Sequence, residues 1–192
     1  MLVATFLVAG LGNDTGIRVL GTILNMSALV AGVVATGLDE DRPRVAVVIV
    51  VGLSGTGLVA AFPITNEGAA LGALSQAFLF AVLLVAVVRR ILSHDTVHLA
   101  TILGSISAYF LIGLMFGWIY LALAGLVDGP VLDPPDTAVP SYYSFVVLST
   151  LGFGDVTPVS ELARRITAIE AMSGQIFLAT LVARLVALYR EP

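Results

Sequence analysis

The feature that most restricts the fold is a series of apolar stretches long enough to cross a lipid bilayer. One crossing needs about 20 apolar residues, and the stretches that reach this length lie at 17–37, 45–64, 69–88, 98–127 and 162–189. Because the bilayer interior offers the backbone no water, these stretches must form helices. The composition agrees, with 58% hydrophobic and 11% charged residues. The sequence predicts an all-α integral membrane protein.

A further apolar stretch, Leu2–Leu11, is too short for a full crossing. No positive residue precedes it, so it is not typical of a secretory signal peptide, and a short or truncated first span is expected.

The absence of cysteine excludes disulfides and thiolate metal sites. All nine basic residues are arginines that form no basic tract. Membrane lipid is therefore an expected partner, and nucleic acid is not.

Arginine placement predicts which helix ends face the cytoplasm. Arginine-rich loops stay inside. Arg42 and Arg44 fall in one loop, Arg89 and Arg90 fall in the next loop but one, and Arg184 and Arg190 lie near the C-terminus. These three places are therefore expected to be cytoplasmic. The opposite side receives the acidic connection DGPVLDPPDTAVP. For the last apolar helix to end inside, the chain between Val127 and Leu162 must enter the membrane and return on the same side. We therefore expect a re-entrant loop in a multi-pass protein of the plasma membrane, the inner membrane if the source is a bacterium.

The re-entrant segment combines a short helix with a glycine-rich extended strand. Pro140 and Ser141 favour a helix start, so a pore helix is expected at about 140–149. The sequence TLGFGD follows at 150–155. The C-terminal end of the pore helix carries the negative end of the helix dipole and favours a cation.

The two glycines of this segment suggest what the cation meets. Gly152 and Gly154 allow positive φ, so that successive carbonyls can turn to one side. Together with the Thr150 hydroxyl, these carbonyls can replace the hydration shell of a potassium ion. One loop supplies only one wall of such a pathway, which predicts a symmetric homotetrameric pore.

The segment TLGFGD resembles the potassium-channel filter signature TVGYGD, and the chain from about His98 to Tyr189 looks like the pore domain of tetrameric potassium channels. The resemblance implies a pore domain at 89–192, with an outer helix at about 98–127 and an inner helix at about 162–189. It implies a filter that binds K+, without any other cofactor, at Thr150, Leu151, Gly152 and Phe153, with Gly154 completing the filter and Asp155 closing it.

Two filter positions depart from the family pattern. Leu151 stands where valine is usual, and Phe153 stands where tyrosine is usual. In the family the tyrosine hydroxyl ties the filter to the pore helix. We expect Tyr142 and Tyr143, in the pore helix, to support the filter instead.

The inner helix contains two further candidate residues. Gly174 matches the gating glycine of the family, and both a hinge and a close packing contact are open interpretations. Glu170 is costly inside a membrane, which predicts a hydrogen-bonding partner on the pore helix behind the filter, the alternative being a protonated and merely structural carboxyl. In the outer helix, the spacing of Gly113 and Gly117 predicts a tight helix contact.

The first part of the chain, 1–88, resembles the voltage-sensor position of six-helix channels in layout only. The stretch 69–88 contains no charged residue, and Arg89 and Arg90 at its end are better explained as topology anchors. Steep voltage gating is therefore not expected.

Three alternatives to a potassium-selective channel remain at this point. The pore could be a non-selective cation channel or a silent pore subunit. The sequence GLSG at Gly52–Gly55 resembles the nucleophile motif of rhomboid intramembrane proteases, an enzyme class that needs a histidine base at membrane depth. The only histidines, His94 and His98, fall in or beside a cytoplasmic loop, so an enzyme is not expected.

Overall fold

The computed structural model describes residues 66–92, 99–135 and 140–189. They form four helices, namely α1 (Asn66–Leu92), α2 (Leu99–Leu126), α3 (Pro140–Leu148) and α4 (Glu161–Tyr189), and two short strands, β1 (Leu132–Asp133) and β2 (Thr157–Pro158). The expected spans at 17–37 and 45–64, the segment Leu2–Leu11, the GLSG motif and both histidines lie outside the described residues. The remaining predicted helices are present, with ends within a few residues of those expected.

Helices α1 and α2 form an antiparallel pair. Leu79 and Leu83 of α1 pack against Leu111 of α2, whereas Ile91, at the other end of α1, lies beside Gly104. The α1 face towards α2 includes the small buried residues Ala70, Ala73 and Ala77. Since lipid provides no hydrophobic force between helices, such small residues stabilise the pair by allowing close van der Waals contact.

Helix α3 packs against both α2 and α4, and glycines make room for it. A methyl group at Gly113 would lie 2.6 Å from Cε1 of Phe145, and one at Gly117 would lie 2.9 Å from Cα of Ser141. The prediction that these two glycines form a tight helix contact is confirmed, and the contact is with the short helix of the re-entrant loop. α3 starts at Pro140, where the missing N–H costs nothing.

The two strands bring the two ends of the loop between α2 and α4 together, as a re-entrant loop requires. β1 precedes α3 and β2 follows the filter segment (residues 150–155), yet the two strands pair antiparallel, with Leu132 opposite Pro158 and Asp133 opposite Thr157. Val159 N also donates to Val131 O at 3.0 Å. The chain therefore leaves the loop beside the point where it entered.

Helix α4 begins after Ser160, whose hydroxyl accepts a hydrogen bond from Ala163 N at 3.2 Å, an N-cap contact. Among the described residues, three helical segments are long and apolar enough to cross a membrane, namely Gly68–Leu92, Thr101–Leu126 and Glu161–Arg184. Near the far end of α4, Arg184 Nη2 donates to Leu92 O, the last carbonyl of α1, at 3.2 Å. Terminal carbonyls of a helix lack an internal partner, so this contact connects α1 to α4.

Candidate functional site

The backbone of the filter segment has positive φ at every second residue. φ is 60° at Thr150, 56° at Gly152 and 76° at Gly154. The prediction for the two glycines is confirmed, while positive φ at Thr150 was not foreseen, because a β-branched residue rarely adopts it. A left-handed conformation costs a non-glycine residue about 1 to 2 kcal/mol, so the surrounding structure must impose it.

Hydrogen bonds to the end of α3 hold the inner part of the filter segment in place. Thr150 N donates to Val147 O at 2.9 Å, and Leu151 N donates to Val146 O at 3.0 Å. These are carbonyls of the last helical turn, which would otherwise lack partners. The segment therefore begins directly on the C-terminal end of the short helix.

At the outer end, Tyr142 and Asp155 connect the start of α3 to the end of the filter segment. The Tyr142 hydroxyl donates to Asp155 Oδ2 at 2.6 Å, and Val156 N donates to Asp155 Oδ1 at 3.1 Å. The expected contact between Tyr142 and the filter is thus present. Phe153, which has no hydroxyl, is 64% exposed in the single chain.

Glu170 lies behind α3 and is completely buried. Its Oε1 is hydrogen bonded to Ser144 Oγ on α3, and its Oε2 accepts a hydrogen bond from the Tyr120 hydroxyl on α2 at 2.7 Å. The predicted partner on the pore helix is therefore Ser144. Ser144 Oγ also contacts Gly113 O at 2.7 Å, so one serine joins all three helices.

Tyr143 contacts the inner helix instead of the filter. Its hydroxyl is 2.8 Å from Thr167 Oγ1, which is also 3.1 Å from the Tyr120 hydroxyl. The rings of Tyr120 and Tyr143 meet edge to face at 5.0 Å. Within the described residues, these contacts lie on the side of α3 that faces α2 and α4, so the support that we expect from Tyr143 would reach the filter segment through α3. Tyr143 supports the helix that carries the filter.

Gly174 lies against the C-terminal end of α3. A methyl group there would be 2.7 Å from Leu148 O and 2.9 Å from Leu148 Cδ1. The Tyr109 hydroxyl donates to the same Leu148 carbonyl at 3.0 Å, and the Tyr109 ring lies 6.0 Å from that of Phe177 on α4. The packing interpretation of Gly174 is confirmed; the hinge remains a prediction.

Four residues of this site were missed by sequence reasoning, namely Tyr109, Tyr120, Ser144 and Thr167. The sequence contained a signal for them, because each carries a hydroxyl in an otherwise apolar helix, and such groups need hydrogen-bond partners. Thr167 and Glu170 are also three residues apart, which places them on one helix face.

Comparison with known protein families agrees with this geometry. Residues 108–191, which run from within α2 to beyond the end of α4, match the family described as Ion channel. No curated protein and no solved structure gives a significant match. The matched residues contain the short helix, the filter segment and two of the apolar helices. Residues 108–191 of this multi-pass membrane protein are therefore similar to the pore-loop ion channel family.

Proposed function

We propose that the protein is the subunit of a homotetrameric, potassium-selective channel in which Thr150, Leu151, Gly152, Phe153 and Gly154 line the filter. The observation that carries the proposal is the alternation of positive φ at Thr150, Gly152 and Gly154. In an ordinary extended strand, successive residues point in opposite directions. Positive φ at every second residue reverses this, so that the carbonyls can line one side and coordinate a dehydrated K+.

The exposure of the single chain supports the presence of further copies. In α4, only 11% of the apolar 18-residue window within Glu161–Arg184 is buried. In the filter, the side chain of Leu151 is 60% exposed. A cyclic arrangement of copies would cover these surfaces and close the pathway, with the C-terminal ends of the short helices directed at the ion.

The test is ion flux into liposomes that contain the purified protein. A potassium gradient should drive flux well ahead of an equal sodium gradient. Equal flux of both ions would indicate a non-selective cation channel, and no flux would indicate a silent subunit; either result contradicts the proposal.

Two glycine variants connect the flux to the filter. Gly152→Ala should abolish potassium flux, because alanine resists positive φ. Gly129→Ala is the matched control: Gly129 also has positive φ, at 99°, with no atom within 4 Å of an added methyl group, but it lies outside the filter. Loss of flux in both variants would show only a general loss of folding.

A further inference from the structure

We propose that Glu170 is held as a neutral carboxylic acid that donates its proton to Ser144, and that Ser144 passes a hydrogen bond on to the backbone of α2. The role that this relay gives Glu170, positioning α3 beneath the filter, rests on the proposed function. The proton assignment itself does not.

The assignment follows from which oxygens can supply a proton. Ser144 Oγ lies 2.7 Å from Gly113 O. A backbone carbonyl has no proton, so the Ser144 hydroxyl must donate in this contact. The Ser144 hydroxyl has only one proton. In its second contact, with Glu170 Oε1, the proton must therefore come from the glutamate.

The other hydrogen bonds around Glu170 fit the same assignment. Thr167 Oγ1 lies 2.8 Å from Ala163 O and must donate to it. Tyr143 then donates to Thr167, and Tyr120 donates to Glu170 Oε2. The contact that receives no proton is Tyr120 with Thr167, which at 3.1 Å is the longest of the cluster.

If Glu170 were ionised, a contact closer than the one between Tyr120 and Thr167 would have no proton between its two oxygens. Either Ser144 and Gly113 or Ser144 and Glu170 would face each other as two acceptors. The glutamate is also completely buried. Among the described residues, its hydrogen-bond partners are a serine and a tyrosine and include no arginine. A buried charge without a cationic partner is costly, whereas a neutral acid can donate and accept at once.

The relay fastens three helices at one level. It begins on α4, passes through α3 and ends on α2, at the same Gly113 against which the Phe145 ring packs. Glu170 is therefore a positioning residue for the short helix, and its function requires a proton instead of a charge.

Infrared difference spectra of wild type and Glu170→Gln provide the direct test. The wild type should show the carbonyl band of a protonated carboxyl, which shifts in heavy water and is missing in Glu170→Gln. If only carboxylate bands disappear in the variant, the proposal is wrong. Because this measurement needs no ion flux, its result does not depend on whether the protein conducts potassium.

Two tyrosine variants test the direction of the relay. Tyr120→Phe should move the carboxyl band to higher frequency, because Oε2 loses its donor. Tyr143→Phe is the matched control, since Tyr143 bonds to Thr167 and not to Glu170, and it should leave the band nearly unmoved. An unchanged band in Tyr120→Phe would overturn the assignment, even if Glu170→Gln failed to fold.

Flux measurements test the positioning role. Glu170→Gln should keep potassium flux within about twofold, because the amide can also donate to one side and accept on the other. Glu170→Val should reduce flux by about tenfold or more, because Ser144 and Tyr120 lose their partner. Equal flux in both variants would contradict the role of Glu170 as a positioning residue.

Discussion

Tyr142 supplies, from the start of α3, a hydroxyl that Phe153 lacks within the filter segment. The hydroxyl donates to Asp155 Oδ2 at 2.6 Å, in an exposed position. This contact and the hydrogen bonds from Thr150 and Leu151 to the end of α3 hold the two ends of the segment. We therefore expect the proposed filter, which has phenylalanine at position 153, to depend strongly on the contact between Tyr142 and Asp155.

Loss of the Tyr142 hydroxyl should shorten the time for which the protein conducts. We expect Tyr142→Phe to make potassium current decay several-fold faster under a sustained gradient, because the outer end of the filter loses its attachment. Asp155→Asn, which keeps an oxygen that can accept from Tyr142, should have a smaller effect. Current decay in Tyr142→Phe as slow as in wild type would show that this hydrogen bond does not hold the filter.

Gln76 presents the opposite case, a buried polar side chain with no evident use. It is 1% exposed in α1, and neither amide atom has a hydrogen-bond partner in the described part of the chain. An unsatisfied amide loses its water without compensation. We expect Gln76→Leu to raise the free energy of unfolding by about 1 kcal/mol or more.

Thermal melting in detergent can measure this gain. Ser75→Ala is the control, because the neighbouring Ser75 hydroxyl already donates to Gly72 O at 2.7 Å, and its removal should change stability little. A lower melting temperature for Gln76→Leu would indicate that the amide is needed.

Single residues were predictable from sequence where the chemistry is local. Positive φ at Gly152 and Gly154 follows from the glycines themselves, and the need of Glu170 for a partner follows from the cost of its burial. The identity of that partner does not, because Tyr120 is 50 positions away and Ser144 is 26 positions away. Contacts across such distances depend on how the helices pack, which periodicity leaves open.

At the scale of elements, α3 is held by three glycine positions on its neighbours. Gly113 and Gly117 on α2 lie against the side of α3, and Gly174 on α4 lies against its C-terminal end. The close approach at Gly174 involves a backbone oxygen, which cannot move away as a flexible side chain can. An added methyl group must therefore displace one of the two helices.

We expect Gly174→Ala to lower the free energy of unfolding by about 1 to 3 kcal/mol, the usual cost of overpacking. Gly104→Ala is the matched control, because its methyl group would lie at an ordinary 3.4 Å from Ile91 Cγ1. That variant should be neutral or slightly stabilised by its better helix propensity. A hinge without close packing would instead leave the stability of Gly174→Ala unchanged and alter only opening kinetics.

Helices and strands differed in how well sequence predicted them. The long helices were evident because apolar length alone defines them, and α3 was evident from Pro140 and the aromatic residues after it. The pairing of β1 with β2 was not foreseen. Two residues per strand are too few to show an alternating pattern, and the pairing joins segments on either side of the re-entrant loop.

At the scale of the whole molecule, α1 packs against the pore region without carrying charge into the membrane. Its arginines, Arg89 and Arg90, are exposed in the last turn. Moving one charge through the membrane field releases about 2.3 kcal/mol per 100 mV, and steeply gated channels move about three to four charges in each subunit. Two terminal arginines crossing a small part of the field would supply far less.

A conductance–voltage curve in symmetric potassium should therefore be shallow, with an effective valence of about one or two charges for the proposed tetramer. Arg89→Gln combined with Arg90→Gln should leave its slope nearly unchanged. A valence near the roughly twelve charges of a true sensor tetramer would contradict this interpretation of α1.

The pairing of β1 with β2 also determines how mechanical load passes through the subunit. Along the chain, a pull that separates α2 from α4 meets the hydrogen bond from Val159 to Val131 and the paired strands before it meets the residues between them. Through space, the same two helices also hold α3, from which the filter segment begins, at Gly113 and Gly174. We therefore expect lateral tension in the bilayer to reach the filter segment through α3 and not through the two ends of the loop.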